Sequence, residues 1–432
     1  MIAQLSDRLR DWLHRRRHAE RFALLEGLLR HQALSRAEVL RQQQDDLANI
    51  VAFAAANTDF YRDRLAPDRP FIDQPILTKD DVVHNRDAML ARGADRKQVG
   101  IAYTGGSTGN PLAYYWDAAK HELMRAGMMR AYMGSGWRPG DGIINFWGAS
   151  QDIRGGGIAR RYGEYVTGER TLGARDFDER KLGEWAACIG ATRPVLLQGY
   201  ASILAELARY VIDKRIAMPR SLRGIYSTAE VLTAEQREAM ERAFSCRVFN
   251  QYGCREVPNI ACECRHGNMH VFTDMVHLES LPQDGADRLI VTSLTNRLMP
   301  FIRYDLGDSG RLLPGDCDCG WPFPLMEMGM CRRNDLIRTS SGKVVYPAYF
   351  NSLLNGIGPI RQYQFVQTAL DRMVLKLVSE RPLDGVALEA MRQKVRRDVD
   401  GAMLIEVNYV DAIPRSASGK HRFIVAELPA TD

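Results

Sequence analysis

The sequence predicts an α/β protein, with a large N-terminal α/β region followed by a smaller α+β unit. Three observations predict it. Between residues 113 and 252, short apolar or aromatic runs alternate with stretches of helical period, as parallel strands and crossover helices do. Beyond about residue 330 the pattern changes to a hairpin, a helix and a strand. At 432 residues the chain also exceeds what a single core usually fills.

Taken in order, the first ~30 residues are helical by period. Ile2, Leu5, Leu9, Trp12 and Leu13 share a face, with arginines opposite, and Arg15, Arg16 and Arg17 extend the basic side. Such a helix either packs on its own domain or meets a membrane surface or partner. A second helical stretch runs from Arg36 to Asn57, and Thr78 is an N-cap candidate for a short helix. The run V-G-I-A-Y and the run L-A-Y-Y-W read as strands, and Asp117 caps a helix that follows. I-I-N-F-W-G, P-V-L-L-Q-G-Y, G-I-Y-S-T-A-E and C-R-V-F-N-Q-Y read as further strands, with a helix over S-I-L-A-E-L-A-R-Y-V-I. Thr233 with Gln236 three residues later predicts a capping box. In the last part, K-V-V-Y-P opens a small unit with a short helix around Tyr349 to Leu354. Y-Q-F-V-Q and M-V-L-K-L-V suggest a hairpin turning near Asp371, before a helix over Val386 to Val399 and the strand L-I-E-V-N-Y-V. The tail I-P-R-S-A-S-G-K-H-R-F reads as a loop.

A net charge of +5, from 58 basic and 53 acidic residues, gives no argument for nucleic acid. No apolar run is long enough to span a bilayer, and Asp7, Arg8 and Arg10 interrupt any signal-peptide core, so the chain reads as cytoplasmic. Its eight cysteines do not suggest a disulfide framework in that compartment.

The stretch Thr104 to Pro111, T-G-G-S-T-G-N-P, is the strongest local signal. Gly105, Gly106 and Gly109 let backbone N–H groups approach an anion, and Thr104, Ser107 and Thr108 add hydroxyl donors, as a phosphate cradle requires. The Walker pattern with its lysine is absent. Gly105 to Gly109 also fits the hydrolase elbow G-x-S-x-G centred on Ser107, but that elbow needs a helix next, and a strand-like run follows here.

Four further stretches join it: Y-G-C-R-E at Tyr252 to Glu256, I-R-Y-D-L-G-D at Ile302 to Asp308, C-R-R-N-D at Cys331 to Asp335, and S-G-K at Ser418 to Lys420. In this order they resemble the adenylate-forming superfamily of acyl- and aryl-CoA ligases. The likeness is to the phenylacetate–CoA ligase-like group, including its capsular polysaccharide biosynthesis adenylyltransferase-like branch. The resemblance covers most of the chain, from T-D-F-Y-R-D-R-L to the tail.

It implies a large adenylation domain over residues 1–330, a hinge at 331–336 and a small mobile domain at 337–432 carrying a catalytic lysine. It implies ATP- and Mg²⁺-dependent activation of a small carboxylic acid to an acyl-adenylate. Transfer follows to a thiol such as coenzyme A or a phosphopantetheine carrier protein, or to an amine. On this reading Thr104 to Gly109 hold the β/γ-phosphates, and Glu256 contributes to Mg²⁺ binding. Tyr252 and Gly253 border adenine, Asp308 holds the ribose, Arg332 sits near ribose and phosphate, and Lys420 bridges the substrate carboxylate and α-phosphate. The sequence departs from the family at Arg255, where Thr or Ser is usual. It departs again at Cys331, in place of glycine, and at Asn334, where the hinge aspartate aligns; Asp335 is the alternative hinge residue.

Relatives in that group often carry a C-x5-H and a C-x-C-G pair, here Cys264 with His270 and Cys317 with Cys319, and a Cys₃His set suits structural Zn²⁺. Cys262 and His266 are spare ligands. Phe146, Trp147, Gln198, Tyr200, Tyr226 and Ser227 sit near positions that line the acyl pocket in relatives, or are core. An aryl or other small planar acid is favoured over a long fatty acid. The readings left to test are an adenylating enzyme that does not use coenzyme A, a hydrolase centred on Ser107, and a zinc-stabilised scaffold without catalysis.

Overall fold

The computed structural model describes residues 2–66, 68–103, 112–147, 158–174, 177–282, 287–332, 337–341, 344–345, 349–350, 353–354, 360–414 and 421–428. The N-terminal helical stretch is two helices, α1 (Ile2–Arg17) and α2 (Ala19–Gln32), broken where His18 leaves helical geometry at φ −124° and ψ 44°. Helix α3 (Arg36–Asn57) starts on a capping box made by Ser35 and Glu38. The short α4 (Asp59–Arg62) follows, and α5 (Lys79–Asn85) begins on the expected Thr78 cap.

Strands β1 (Gly100–Tyr103) and β2 (Ala113–Trp116) pair antiparallel, with Tyr103 opposite Ala113. Residues 104–111, which join them, lie outside those described. A strand rather than a helix therefore follows the glycine-rich stretch, which removes the structural context of a hydrolase elbow. Asp117 accepts from Lys120 N–H to start α6 (Ala118–Met133).

From there the chain alternates. The elements are β3 (Ile143–Trp147), α7 (Ile158–Thr167), β4 (Glu169–Gly173), α8 (Glu179–Thr192), β5 (Leu196–Tyr200), α9 (Ala201–Asp213), β6 (Gly224–Thr228), α10 (Ala234–Phe244) and β7 (Arg247–Tyr252). Strands β4, β3, β5, β6 and β7 are parallel neighbours in that spatial order. Helix α9 buries Ile203, Leu204, Leu207, Ala208 and Val211 in one apolar cluster with Trp185 and Ile189 of α8 and with the strands beneath. Each of the isoleucine, leucine and valine side chains contributes roughly 1.5–3 kcal/mol by leaving water.

The same sheet continues, antiparallel, through β8 (Ala261–Glu263), β9 (Met269–Val271), β13 (Leu325–Arg332), β12 (Tyr304–Leu313), β11 (Arg288–Ser293) and β10 (Val276–Leu281), so that it has 11 strands. The sequence pattern indicates only the parallel half. Strands β8 and β9 have three residues each, too few to show an alternation.

The last stretch has β14 (Ile337–Arg338) paired with β15 (Val344–Val345). It has a separate four-stranded sheet of β16 (Ile360–Ala369), β17 (Arg372–Ser379), β18 (Leu404–Tyr409) and β19 (Ile424–Ala426), covered by α11 (Gly385–Asp398). The β16–β17 hairpin closes with Ala369 opposite Arg372, at the expected turn. Its core, including Phe350, Phe365, Leu375, Met391 and Val395, is a third cluster of its own. The helix expected at Tyr349 to Leu354 lies partly outside the described residues. Strand β13 runs through Cys331 and Arg332, so the first two residues expected in the hinge are strand, because β12 supplies ladder partners that far.

Candidate functional site

The parallel strands deliver their carboxyl ends to one edge: β3 ends at Trp147, β5 at Tyr200, β6 at Thr228 and β7 at Tyr252. In open α/β sheets this is where ligands bind. The chain then turns through Gly253 to Ile260, with Cys254 N–H donating to Val257 O at 3.1 Å and Ile260 N–H to Tyr252 O at 3.1 Å. Gly253 is required there, since a Cβ would stand 3.0 Å from Asn259 N. Asn259, at φ 55°, donates from Nδ2 to Met124 O at 2.9 Å. That amide fits because position 127 on α6 is glycine; a Cβ would come within 2.4 Å of Asn259 Nδ2.

This turn carries Glu256, which is buried. Lys120 Nζ of α6 donates to the Glu256 backbone carbonyl at 2.7 Å, and Tyr304 Oη donates to Glu256 Oε1 at 3.3 Å. Burial, then the neighbouring Glu256 charge, pushes the Tyr304 phenol up and keeps it a donor. Burial pulls the Lys120 ammonium down to about 8, opposed by Cys254 and Glu256. Burial and Glu256 raise the Cys254 thiol well above its ordinary value, so it stays protonated.

Beside the turn, Tyr252 Oη donates to Asp308 Oδ2 at 3.0 Å. Asp308 on β12 stands directly opposite Arg332 on β13 in the ladder. Three residues singled out from sequence, Tyr252, Asp308 and Arg332, are thus brought to one place, with Glu256 on the adjoining turn. Arg255, a departure from the family pattern, donates from Nη1 to Tyr103 O at 2.9 Å, tying this turn to the last residue of β1. Thr104, Gly105, Gly106, Ser107, Thr108, Gly109 and Lys420 lie outside the described residues, as do Asn334 and Asp335.

Their flanks are described. His421, next to Lys420, donates its N–H to Glu230 Oε1, and the other oxygen of that carboxylate accepts Ser202 N–H at 2.8 Å. Glu230 therefore joins the start of α9 to the chain just before β19.

The residues considered for an acyl pocket separate into two groups. Trp147 and Tyr200 meet edge to face at the strand ends, with ring centroids 5.1 Å apart, Trp147 partly buried and Tyr200 fully so. Tyr226 is core: fully buried, it donates to Ala131 O at 2.7 Å and stacks on Phe249 at 4.9 Å. Gln198 accepts from Tyr132 Oη and donates to Gln251 Oε1 at 3.2 Å, and Phe146 packs on Trp185. Ser227 is buried with no hydrogen-bond partner for its hydroxyl among the described residues.

On the antiparallel side, one ligand atom each from Cys264, His270, Cys317 and Cys319 lies within 4.8 Å of all the others. Cys264 Sγ is 3.7 Å from Cys317 Sγ, and Cys319 Sγ is 3.4 Å from His270 Nε2. A tetrahedron on ~2.3 Å Zn–S bonds has edges of about 3.8 Å, so the set fits a closed metal site. Backbone N–H groups of His266 and Trp321 point at Cys264 and Cys319 sulfur, both at 3.3 Å, as suits thiolates. His270 Nδ1 bonds Phe323 O at 3.0 Å, which leaves Nε2 facing the sulfurs. Cys262 is not in the group; its thiol donates to Glu263 O.

Sequence reasoning missed Lys120, Tyr304, Asn259 and Glu230. Tyr304 and Glu230 lie within stretches already quoted, I-R-Y-D-L-G-D and S-T-A-E. Lys120, three residues after a helix cap, carries no sequence signal that distinguishes it from a surface lysine.

Residues 337–427 match the family described as the CapK C-terminal domain. The chain is 25% identical over 450 residues to the phenylacetate-coenzyme A ligase of Thermus thermophilus, covering 91% of this chain and 98% of that protein. It is 23% identical over 374 residues to Protein CapK of Staphylococcus aureus, covering 82% and 80%. Among solved structures, a 2-hydroxyisobutyryl-CoA ligase in the postadenylation state superposes with a TM-score of 0.70 at 16% identity, covering 92% of this chain and 91% of that one. That likeness shows the fold.

Proposed function

We propose, from the premise that this chain is a member of the adenylate-forming superfamily with phenylacetate–CoA ligase-like and CapK-like relatives, that it is an adenylate-forming acid–thiol ligase. A carboxylate oxygen attacks the α-phosphorus of ATP, the bond to the β-phosphate breaks, and pyrophosphate leaves with an acyl-adenylate retained. The thiol of coenzyme A then attacks the acyl carbon and AMP departs. Such transfer depends on positioning and charge neutralisation rather than on covalent help.

The observation that carries this reading is the convergence of Tyr252, Asp308 and Arg332 at the strand ends, beside the buried Glu256. Asp308 accepts from the ribose hydroxyls, and Tyr252 orients that carboxylate while bordering adenine. Glu256 is the carboxylate that would hold Mg²⁺, which when bound neutralises phosphate charge. Thr104 to Gly109 bind the β/γ-phosphates, and the Arg255–Tyr103 bond ties the start of that stretch to the Glu256 turn. Arg332 adds charge near ribose and phosphate, and Lys420 bridges carboxylate and α-phosphate from the smaller domain. The acid we favour is aryl or small and planar, lying against Trp147, which contacts the buried Tyr200. Cys264, His270, Cys317 and Cys319 hold a structural Zn²⁺.

Pyrophosphate release with ATP, Mg²⁺ and a panel of aryl, small and long-chain acids tests the reading. We expect acid-dependent release that is strongest with a planar acid. Absence of release with every acid sinks it. Omitting coenzyme A from the complete reaction then separates a CoA ligase from an enzyme that loads a carrier protein or an amine.

A further inference from the structure

We propose that the outer face shared by α1 and α7 docks on an anionic lipid surface. Leu9 and Trp12 of α1 are each 52% exposed, and Tyr162 and Tyr165 of α7 are 47% and 49% exposed. The two helices pack on each other, and Arg17 of α1 reaches the Tyr162 ring of α7, so these exposed apolar and aromatic side chains lie on adjoining elements. Two arginines are laid across them. The Arg16 guanidinium sits 5.3 Å from the Trp12 ring centre and that of Arg17 5.4 Å from Tyr162, the second bridging the helices.

The inner side of α1 explains why this face stays outward. His14 is buried edge-on against Phe22 of α2, with ring centroids 5.0 Å apart. Arg15 is committed to Asp11 at 3.0 Å and lies over Phe22. Arg16 and Arg17, in contrast, lie over exposed rings, those of Trp12 and Tyr162.

Trp and Tyr rings settle at the headgroup level of a bilayer, with the ring body against acyl chain and the polar edge wet. A guanidinium stacked on such a ring presents its N–H fork to lipid phosphate while its stem covers apolar surface. The charge at the centre of the face has one sign, which complements an anionic surface. It opposes a second copy of this chain, whose own Arg16 and Arg17 would meet these two across a symmetric contact. Attachment is peripheral, since no helix among the described residues is long and apolar enough to cross a membrane.

The test is flotation of the full chain with phosphatidylcholine vesicles, with and without phosphatidylglycerol. We expect binding only to the anionic vesicles, weakening as salt is raised. Each arginine near such a surface is worth about fivefold in binding, so Arg16→Glu with Arg17→Glu lowers it by at least about 25-fold. Trp12→Phe keeps binding within a few-fold but reduces quenching of tryptophan fluorescence by brominated acyl chains. Both variants keep the wild-type melting temperature and acid-dependent pyrophosphate release, because neither touches the strand-end site. No flotation with anionic vesicles, or flotation unchanged by the charge reversals, overturns the proposal. A dimer in sedimentation velocity that Trp12→Ala abolishes also overturns it, by assigning the face to a second copy.

Discussion

One sheet carries two sites built on opposite plans. At the Cys/His cluster, three sulfurs and a ring nitrogen crowd within 4.8 Å of one another. At the strand ends, Tyr252, Asp308 and Glu256 are each fastened to the scaffold by a neighbour, Tyr252 to Asp308, Glu256 to Lys120 and Tyr304. The first arrangement fits a bound cation that neutralises the sulfurs, and such a site is part of the fold. In the second, Tyr252, Asp308 and Glu256 each have a protein partner, which suits the transient occupants proposed above. On the function proposed above, the first is a structural site and the second a working one, and the difference lies in how their polar atoms are held. In the one, donor atoms converge on a single point. In the other, they are engaged by neighbouring protein groups, Asp308 by Tyr252 and Glu256 by Tyr304.

The contrast can be broken in graded steps. The largest effect belongs to Lys420→Ala, which we expect to lower acid-dependent ATP–pyrophosphate exchange by about 10²–10³-fold, the usual cost of losing a placed charge stabiliser. Its melting temperature should not move. Retained exchange would remove Lys420 from the adenylation step. Cys317→Ser should give the reverse profile, with bound zinc falling from near one per chain to a small fraction and the thermal midpoint dropping by about 5–10 °C. Elemental analysis and calorimetry read both, and wild-type protein containing no zinc would refute the assignment.

Smaller again is Asp308→Asn, for which we expect the KM for ATP to rise about tenfold with little change in fold. A double-mutant cycle with Tyr252→Phe should show coupling of about 1 kcal/mol through the bond they share. Additive effects would mean that Tyr252 does not orient Asp308. The smallest effect is a pH limb. With its ammonium pulled down to about 8, Lys120 is charged below that pH and neutral above it. Exchange should therefore decline severalfold as pH rises through about 8, and Lys120→Met should flatten the decline; an unaltered limb would exclude Lys120 as its source.

The legibility of the sequence follows the same division. The parallel half from β3 to β7 could be read because its strands are apolar runs separated by amphipathic helices with recognisable caps, as at Thr233 and Gln236. The antiparallel half could not, because β8 and β9 are too short for any period and β12 is bent by a register shift after Asp308. Cys264, His270, Cys317 and Cys319 could be picked out because cysteine and histidine are scarce and came in two tight pairs. Tyr226 and Ser227 looked like pocket residues because aromatic and hydroxyl groups at a strand end serve either role. The burial of Tyr226 beneath α6, with its hydroxyl on Ala131, identifies it as core. Arg255 looked like a defect in a motif and is a tether to β1, which only the spatial neighbour at Tyr103 could disclose.

Strand β13 adds a consequence that concerns phase. Its first residue, Leu325, faces His270 across the ladder, and its last, Arg332, faces Asp308. The strand is thus a ruler, eight residues long and roughly 25 Å at about 3.3 Å per residue, with one site at each end. Side chains alternate with a period of two along its regular part, Leu325 to Met328, beyond which the register with β12 shifts before Arg332. Inserting a single residue within that regular part would turn the rung opposite His270 over relative to the remainder of the strand. Inserting two would restore parity and change only the spacing. The cluster and the strand-end site are therefore joined by one strand, and a change in the length of β13 tolerated by one is felt at the other.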